Sequence, residues 1–243
     1  LCAMTIDPEH KIDELTPMLG VEFSTVYVYA MLDLLSLRSQ WRIYKGLFGQ
    51  NKERFDLLNR ASPVVSGAIE RSMFEAALLG IRRLTDKVET KRGKHPVTIC
   101  AFPLHLEGEP QAEMKLLVSK AVRSAKFARN WSDKRIAHSE IAFRTGAIKL
   151  EPASREKVDS CIDCIAKTVQ WIAANKLDTH LVTHPVSLLP DETDFLVKLY
   201  EGELALRERK AREVKLLEHG KLSEFEAIEP YPVWLAHSPP EHD

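Results

Sequence analysis

Residues 131 to 138 read Trp131-Ser132-Asp133-Lys134-Arg135-Ile136-Ala137-His138, a basic cluster and a histidine inside otherwise helical sequence. Such a set can handle phosphates. A neutral imidazole can remove the proton of a ribose 2′-hydroxyl, and histidine titrates in the range that this requires. A guanidinium binds a phosphate through a fork of N–H donors and stabilises the charge that builds up in the transition state. In a continuous α-helix each residue advances about 100°, so Arg135 and His138 share one face. On the same helix Ser132 rotates off that face and Arg129 points to the opposite side. Helical geometry therefore favours Arg135 as the partner of His138. The competing reading is that His138 packs or caps locally and that Lys134 and Arg135 are ordinary solvated charges.

The elements that must position these residues are helices. From Val21 to Phe48, Phe23, Val26, Tyr27, Ala30, Leu34, Leu37, Trp41, Tyr44 and Phe48 recur every three or four positions, the stripe of one long amphipathic helix that Gly49 ends. Trp41, Tyr44 and Phe48 read as core or a dimer seam rather than as base-stacking rings. A short helix over Lys52 to Ala61 follows. Pro63 then opens a helix to about Thr85, with Val65, Ala68, Ile69, Met73, Ala76, Leu79 and Leu84 as its core face. Arg82, Arg83 and Asp86 read as an exposed helix end with a local ion pair, or alternatively as a phosphate contact beside the motif. Between Asp86 and Gln111, Gly93, Pro96, Pro103, Gly108 and Pro110 make a long loop in which Pro96 to Cys100 is at most one extended segment.

A helix resumes near Ala112, with Leu116, Leu117, Ala121, Ala125, Ala128 and Trp131 inward, and runs into the motif. Arg144 to Ala147 makes a turn. Pro152 and Ser154 open a helix over Arg155 to Asn175 that buries Val158, Ile162, Ile165, Val169 and Ile172. A loop with His180, His184, Pro185 and Pro190 leads to a last helix, Asp191 to His219. Its mixed charges after Glu201 read as a solvated face or a partner-binding helix, and the final two dozen residues read as an extended tail. The fold class is all-α: an antiparallel helical bundle over residues 1–188, with a charged C-terminal helix and tail over 189–243.

Composition narrows the classes. With 243 residues, 44% of them hydrophobic, the chain can bury a sizeable core. A net charge of −1 supplies no global field toward nucleic acid or anionic membrane, so any RNA-binding surface has to be local. Cys2, Cys100, Cys161 and Cys164 show no disulfide framework, and Cys161-Ile162-Asp163-Cys164 lacks the two further ligands that zinc requires. His180 and His184 would chelate a metal only on a helix, which Pro185 opposes. No Glu-x-x-His pair suits a carboxylate-bridged bundle. We expect no metal and no cofactor. The first residues carry Asp7, Glu9, His10 and Lys11 without an apolar segment, and no window approaches a membrane span, so the expected location is the cytoplasm.

Three further segments, Gln40 to Gly49 (QWRIYKGLFG), Asp56 to Ala61 (DLLNRA) and Arg82 to Asp86 (RRLTD), precede Asp133 to His138 in a fixed order. Together, from about Val21 to Trp171, they resemble the AbiU-type (abortive infection) branch of the HEPN-like superfamily. The resemblance implies a helical bundle that forms a homodimer and belongs to a prokaryotic defence or toxin-like system. In active members of that superfamily, it further implies a metal-independent ribonuclease cleft where the Arg and His motifs of two subunits meet. The family histidine falls on His138 and its polar residue on Asp133, which makes His138, Arg135 and Asp133 the candidate catalytic group. Arg129, Ser132 and Lys134 are candidate RNA-binding residues. The family arginine position falls on Ser132, whose hydroxyl lacks the charge and the donor fork of a guanidinium. Either Arg135 or Arg129 supplies the cation, or the protein is a catalytically silent dimeric module that binds RNA, an antitoxin or another protein.

Overall fold

Each long helix of the bundle starts where the sequence places a cap. The structure, a computed structural model, describes residues 7–88, 96–137, 140–184, 191–228 and 231–235; among these all regular structure is helical. Asp7 accepts a hydrogen bond from the Glu9 backbone N–H and opens α1 (Pro8–Leu19), with Pro8 in its first turn. This helix is an addition to the sequence expectation, although Asp7-Pro8 is the cap that marks it. α2 spans Val21–Tyr44 and continues as a π-helical turn, Lys45–Gly49. Asn51 caps α3 (Lys52–Ala61), Ser62 caps α4 (Pro63–Leu84) and Ser154 caps α8 (Arg155–Lys176), each through its side-chain oxygen. Between α4 and α8 lie α5 (Gly108–Ser124), α6 (Lys126–Trp131) and the short α7 (Ile141–Arg144).

The core follows the long stripe of α2. Phe23, Tyr27, Ala30, Leu34, Leu37, Trp41, Tyr44 and Phe48 are buried, as are Val158, Ile162, Ile165, Val169 and Ile172 of α8. Trp41 stacks on Tyr44 with ring centroids 4.7 Å apart, and Phe74 of α4 closes the cluster. Polar ties hold α2 to α8: Trp41 Nε1 and Lys45 Nζ both donate to Asp159 Oδ1, at 2.9 and 2.7 Å, and Arg38 Nη2 donates to Asp163 at 2.8 Å. Helices α2 and α4 run close enough that a Cβ on Gly80 would meet Leu37 Cδ1 at 3.1 Å.

Three sequence expectations need correction. On α4 the buried side chains are Ser66, Ala77, Leu78, Ile81 and Leu84, whereas Val65 is 56% and Ile69 41% exposed and Ala68 and Ala76 face solvent. The helix carries two apolar stripes, and the one in its N-terminal half is turned away from the core. On α5, Leu116 is exposed and Met114 and Val118 are buried in its place. The segment from Ile99 is not extended. Residues Ile99–His105 form a 3-10 helix capped by Thr98, which buries Ile99, Phe102 and Pro103 and sets Phe102 edge-on to Phe23.

The chain divides into two compact units, Leu1–Thr193 and Asp194–Asp243. α9 (Asp191–Glu218) begins in the first. Its Glu192 carboxylate is buried, lies 3.6 Å from Arg42, and packs so closely on Gly46 that a Cβ there would meet Glu192 Cγ at 2.3 Å. In the second unit, α9 bears i,i+4 ion pairs between Lys198 and Asp194, Arg207 and Glu203, and Arg209 and Glu213. The expected extended tail is helical in part, over α10 (Leu222–Glu226) and a 3-10 turn at Val233–Leu235, while Pro230, Pro239 and Pro240 lie outside the described residues. No helix among the described residues is long and apolar enough to cross a membrane.

Candidate functional site

Helix α6 ends at Trp131, and the motif continues as a π-helical turn over Ser132–Ile136, closed by the Ala137 backbone N–H donating to the Ser132 carbonyl at 2.8 Å. That five-residue step replaces the continuous α-helix on which Arg135 and His138 were expected to share a face, so the simple 100° projection does not apply here. His138 itself lies outside the described residues. What can be placed is the turn that leads to it.

The basic residues of the turn have separate partners. Arg129 Nη1 donates to Asp86 Oδ1 at 2.8 Å and its Nη2 to the Thr85 carbonyl at 3.0 Å, which ties α6 to the end of α4. Arg135 pairs with Glu75 of α4 at 3.1 Å and lies over the Trp131 ring, 5.2 Å from its centroid. Lys134 and Asp133 are part-exposed. Ser132 is fully buried, and its hydroxyl accepts from Arg82 Nη1 at 2.6 Å, while Arg82 Nη2 pairs with Asp133 Oδ1 at 3.0 Å. The guanidinium that touches positions 132 and 133 therefore comes from α4 rather than from Arg129 or Arg135. Arg82 and Asp86 do not pair with each other locally; both reach across to α6 and the motif turn.

Arg135 lines a groove of about 680 Å³ formed by α2, α4, the motif turn and the start of α8. Tyr44, Phe48, Phe74 and Trp131 make its apolar wall; Arg71, Arg135, Arg155, Glu70 and Glu75 also line it, with Arg135 and Glu75 paired. Asn130 and Trp131 position one side of it. The Asn130 side chain accepts from the Glu151 backbone N–H at 3.0 Å, and Trp131 Nε1 donates to the Glu151 carbonyl at 2.7 Å, bringing the segment before α8 to α6. The other side is the π-helical turn that ends α2. Its freed carbonyls are taken up by arginines: Arg54 donates to the Gly46 carbonyl at 2.6 Å and Arg155 to the Phe48 carbonyl at 3.2 Å. Gly49 leaves room for this, since a Cβ there would stand 2.9 Å from Arg155 Nη1. Two π-helical turns thus border one groove.

Burial raises the Tyr44 phenol above its ordinary pKa, the Glu70 carboxylate pushes it the same way, and Arg155 pulls it back. At neutral pH Tyr44 is a protonated donor at the groove wall. Arg71, Tyr44 and Arg155 were missed by the sequence reading. The available signal was spacing: on α4, positions 71, 75, 78 and 82 fall within about 60° of each other, so Arg71, Glu75 and Arg82 form a polar line around buried Leu78.

Other candidates separate from the site. Cys161 and Cys164 are buried on α8, and burial pushes the Cys161 thiol to about 12. His180 and His184 stand in irregular backbone, where His184 Nδ1 lies 3.3 Å from Arg38 Nη1. Among the described residues no cluster of His, Cys, Asp and Glu could hold a metal ion.

A family model, HEPN_AbiU2, described as AbiU2, matches residues 21–192. No curated protein and no solved structure matches the chain.

Proposed function

Because this chain belongs to the AbiU2 family of HEPN-like proteins, we propose that it is a metal-independent ribonuclease of a defence system, in which His138 is the general base and groove arginines hold the RNA. The observation that carries the proposal is the groove. It presents the guanidinium of Arg135 beside those of Arg71 and Arg155, next to aromatic side chains and directly on the motif turn. RNA supplies phosphates for the first and flat bases for the second. Cleavage proceeds by removal of the 2′-hydroxyl proton by the neutral His138 imidazole. The 2′-oxygen attacks the adjacent phosphorus, and the 5′-oxygen of the next nucleotide leaves with a proton from water or an acid. The products are a 2′,3′-cyclic phosphate and a 5′-hydroxyl. No redox partner and no metal takes part in that balance.

Arg135→Gln tests the groove. Full-length protein mixed with a labelled single-stranded RNA should lose about 10- to 100-fold in kcat/KM, mostly through KM, since a hydrogen bond to a charged group contributes about 1.5–3 kcal/mol. An unchanged KM would detach the groove from RNA binding. The Arg135–Glu75 pair is part-exposed, so its loss should move Tm by only a few degrees.

A homodimer belongs to the proposal, because the family's cleft is assembled from the motifs of two subunits. Light scattering on the purified chain should give twice 27.6 kDa; a monomer at the concentration at which RNA is cut would remove the composite cleft.

A further inference from the structure

We infer that Arg82, reaching from α4, is the guanidinium that binds the scissile phosphate of RNA at the motif turn; the inference rests on the ribonuclease reading above. Position 132 lacks a cation, yet a guanidinium is found on it. Arg82 Nη1 donates to the Ser132 hydroxyl at 2.6 Å and Nη2 pairs with the Asp133 carboxylate at 3.0 Å, so the guanidinium is held at two points, one fully buried. The first is a short hydrogen bond from a charged donor and the second an ion pair, and together they hold the guanidinium at the motif turn.

The other two arginines of the segment are placed differently. Both terminal nitrogens of Arg129 are committed to Asp86 and the Thr85 carbonyl, which makes it a tie between α6 and α4. Arg135 faces Glu75 and Trp131 in the groove. Arg82 keeps part of its side chain in solvent, 26% exposed, beside Asp133 at 47%. Of its five N–H donors, one goes to the Ser132 hydroxyl, Nη2 also faces the Asp133 carboxylate as an ion pair, and Nε is buried without a partner. The terminal N–H groups left over can donate to the oxygens of a phosphodiester.

A lysine on α4 would bring a charge to Asp133. What lysine cannot do is hold Ser132, Asp133 and a phosphate at once from one plane. Ser132 is also the right size for this arrangement. Its hydroxyl accepts the α4 guanidinium in a fully buried space where a long side chain on the motif turn would meet Arg82.

The test is relocation of the guanidinium. Full-length wild type, Arg82→Lys, Arg82→Ser, the double variant Arg82→Ser with Ser132→Arg, and His138→Ala are compared on one labelled single-stranded RNA in EDTA, with Tm measured for each. Arg82→Lys keeps the charge and the ion pair to Asp133, so it should hold Tm within a few degrees and lose at least 30-fold in kcat/KM. Arg82→Ser should lose 100-fold or more, and the double variant should recover to within about tenfold of wild type. Activity of Arg82→Lys and Arg82→Ser within twofold of wild type overturns the inference. So does a loss that only tracks Tm and is not recovered when the arginine is moved to 132. If cleavage disappears in His138→Ala but is untouched in Arg82→Ser, this inference fails alone; if wild type does not cut, or His138→Ala cuts as well as wild type, the ribonuclease reading fails and takes the inference with it.

Discussion

Replacing His138 by alanine should lower the rate of RNA cleavage by about 10²- to 10⁴-fold, the span that a positioned general base contributes. Removal of the 2′-hydroxyl proton is the step that lacks a substitute in the motif. Asp133 is already paired with Arg82, Ser132 is buried under the same guanidinium, and Lys134 and Arg135 carry basic side chains that supply donors and no acceptor. RNA binding should survive, since the guanidiniums proposed to hold phosphates are separate from the proposed base. Measured as rates and as binding by fluorescence anisotropy, the expected pattern is an intact Kd with a collapsed kcat. Equal rates for the variant and wild type would leave His138 without a catalytic part.

A second large effect concerns the scaffold. Leu78→Ala should destabilise the protein by about 2–5 kcal/mol, because Leu78 is completely buried and the space left by its side chain cannot close without moving a helix. In a chain of this size that corresponds to a Tm lower by roughly 5–15 °C. The consequence reaches the site. Leu78 stands on the α4 line that carries Glu75 and Arg82, one turn from each, and those two residues hold Arg135 and the Ser132–Asp133 pair. Cleavage should therefore fall more steeply with temperature in the variant than in wild type. A Tm change under about 2 °C would show that α4 is not packed through Leu78 as described.

The long stripes of α2 and α8 were legible in the sequence because their apolar residues recur at helical spacing and the residues so marked are nearly all buried. The inward face of α4 was not. That helix has one apolar stripe near its start, Val65, Ala68 and Ile69, and another toward its end, Ala77, Leu78, Ile81 and Leu84. Periodicity finds both and cannot say which one meets α2; that is decided by Gly80, where the backbones approach. Pro96 to Cys100 was read as at most one extended segment of a long loop, but from Ile99 on, Thr98 capping and the burial of Phe102 against Phe23 set a 3-10 helix instead.

The motif was found in the sequence and its geometry was not. A π-helical turn has no composition of its own, so the registry assumed for Arg135 and His138 was that of a regular α-helix. The cation at position 132 was sought among neighbours in the chain, Arg129 and Arg135, whereas the one in contact is 50 positions away. In the sequence Arg82 reads as part of an exposed helix end or, alternatively, as a phosphate contact beside the motif. Its role depended on where α4 ends relative to α6, which the Arg129–Asp86 tie establishes and no local pattern encodes. The groove arginines Arg71 and Arg155 were hidden for the same reason, since each is unremarkable on its own helix and they meet only in three dimensions.

The central claim, that this protein cuts RNA without a metal through attack by the 2′-oxygen, is tested most directly by the ends of the products. Full-length protein incubated with single-stranded RNA in EDTA should yield fragments bearing 2′,3′-cyclic phosphate and 5′-hydroxyl termini, read by mass spectrometry. No cleavage, or fragments bearing 3′-hydroxyl and 5′-phosphate ends, would contradict it.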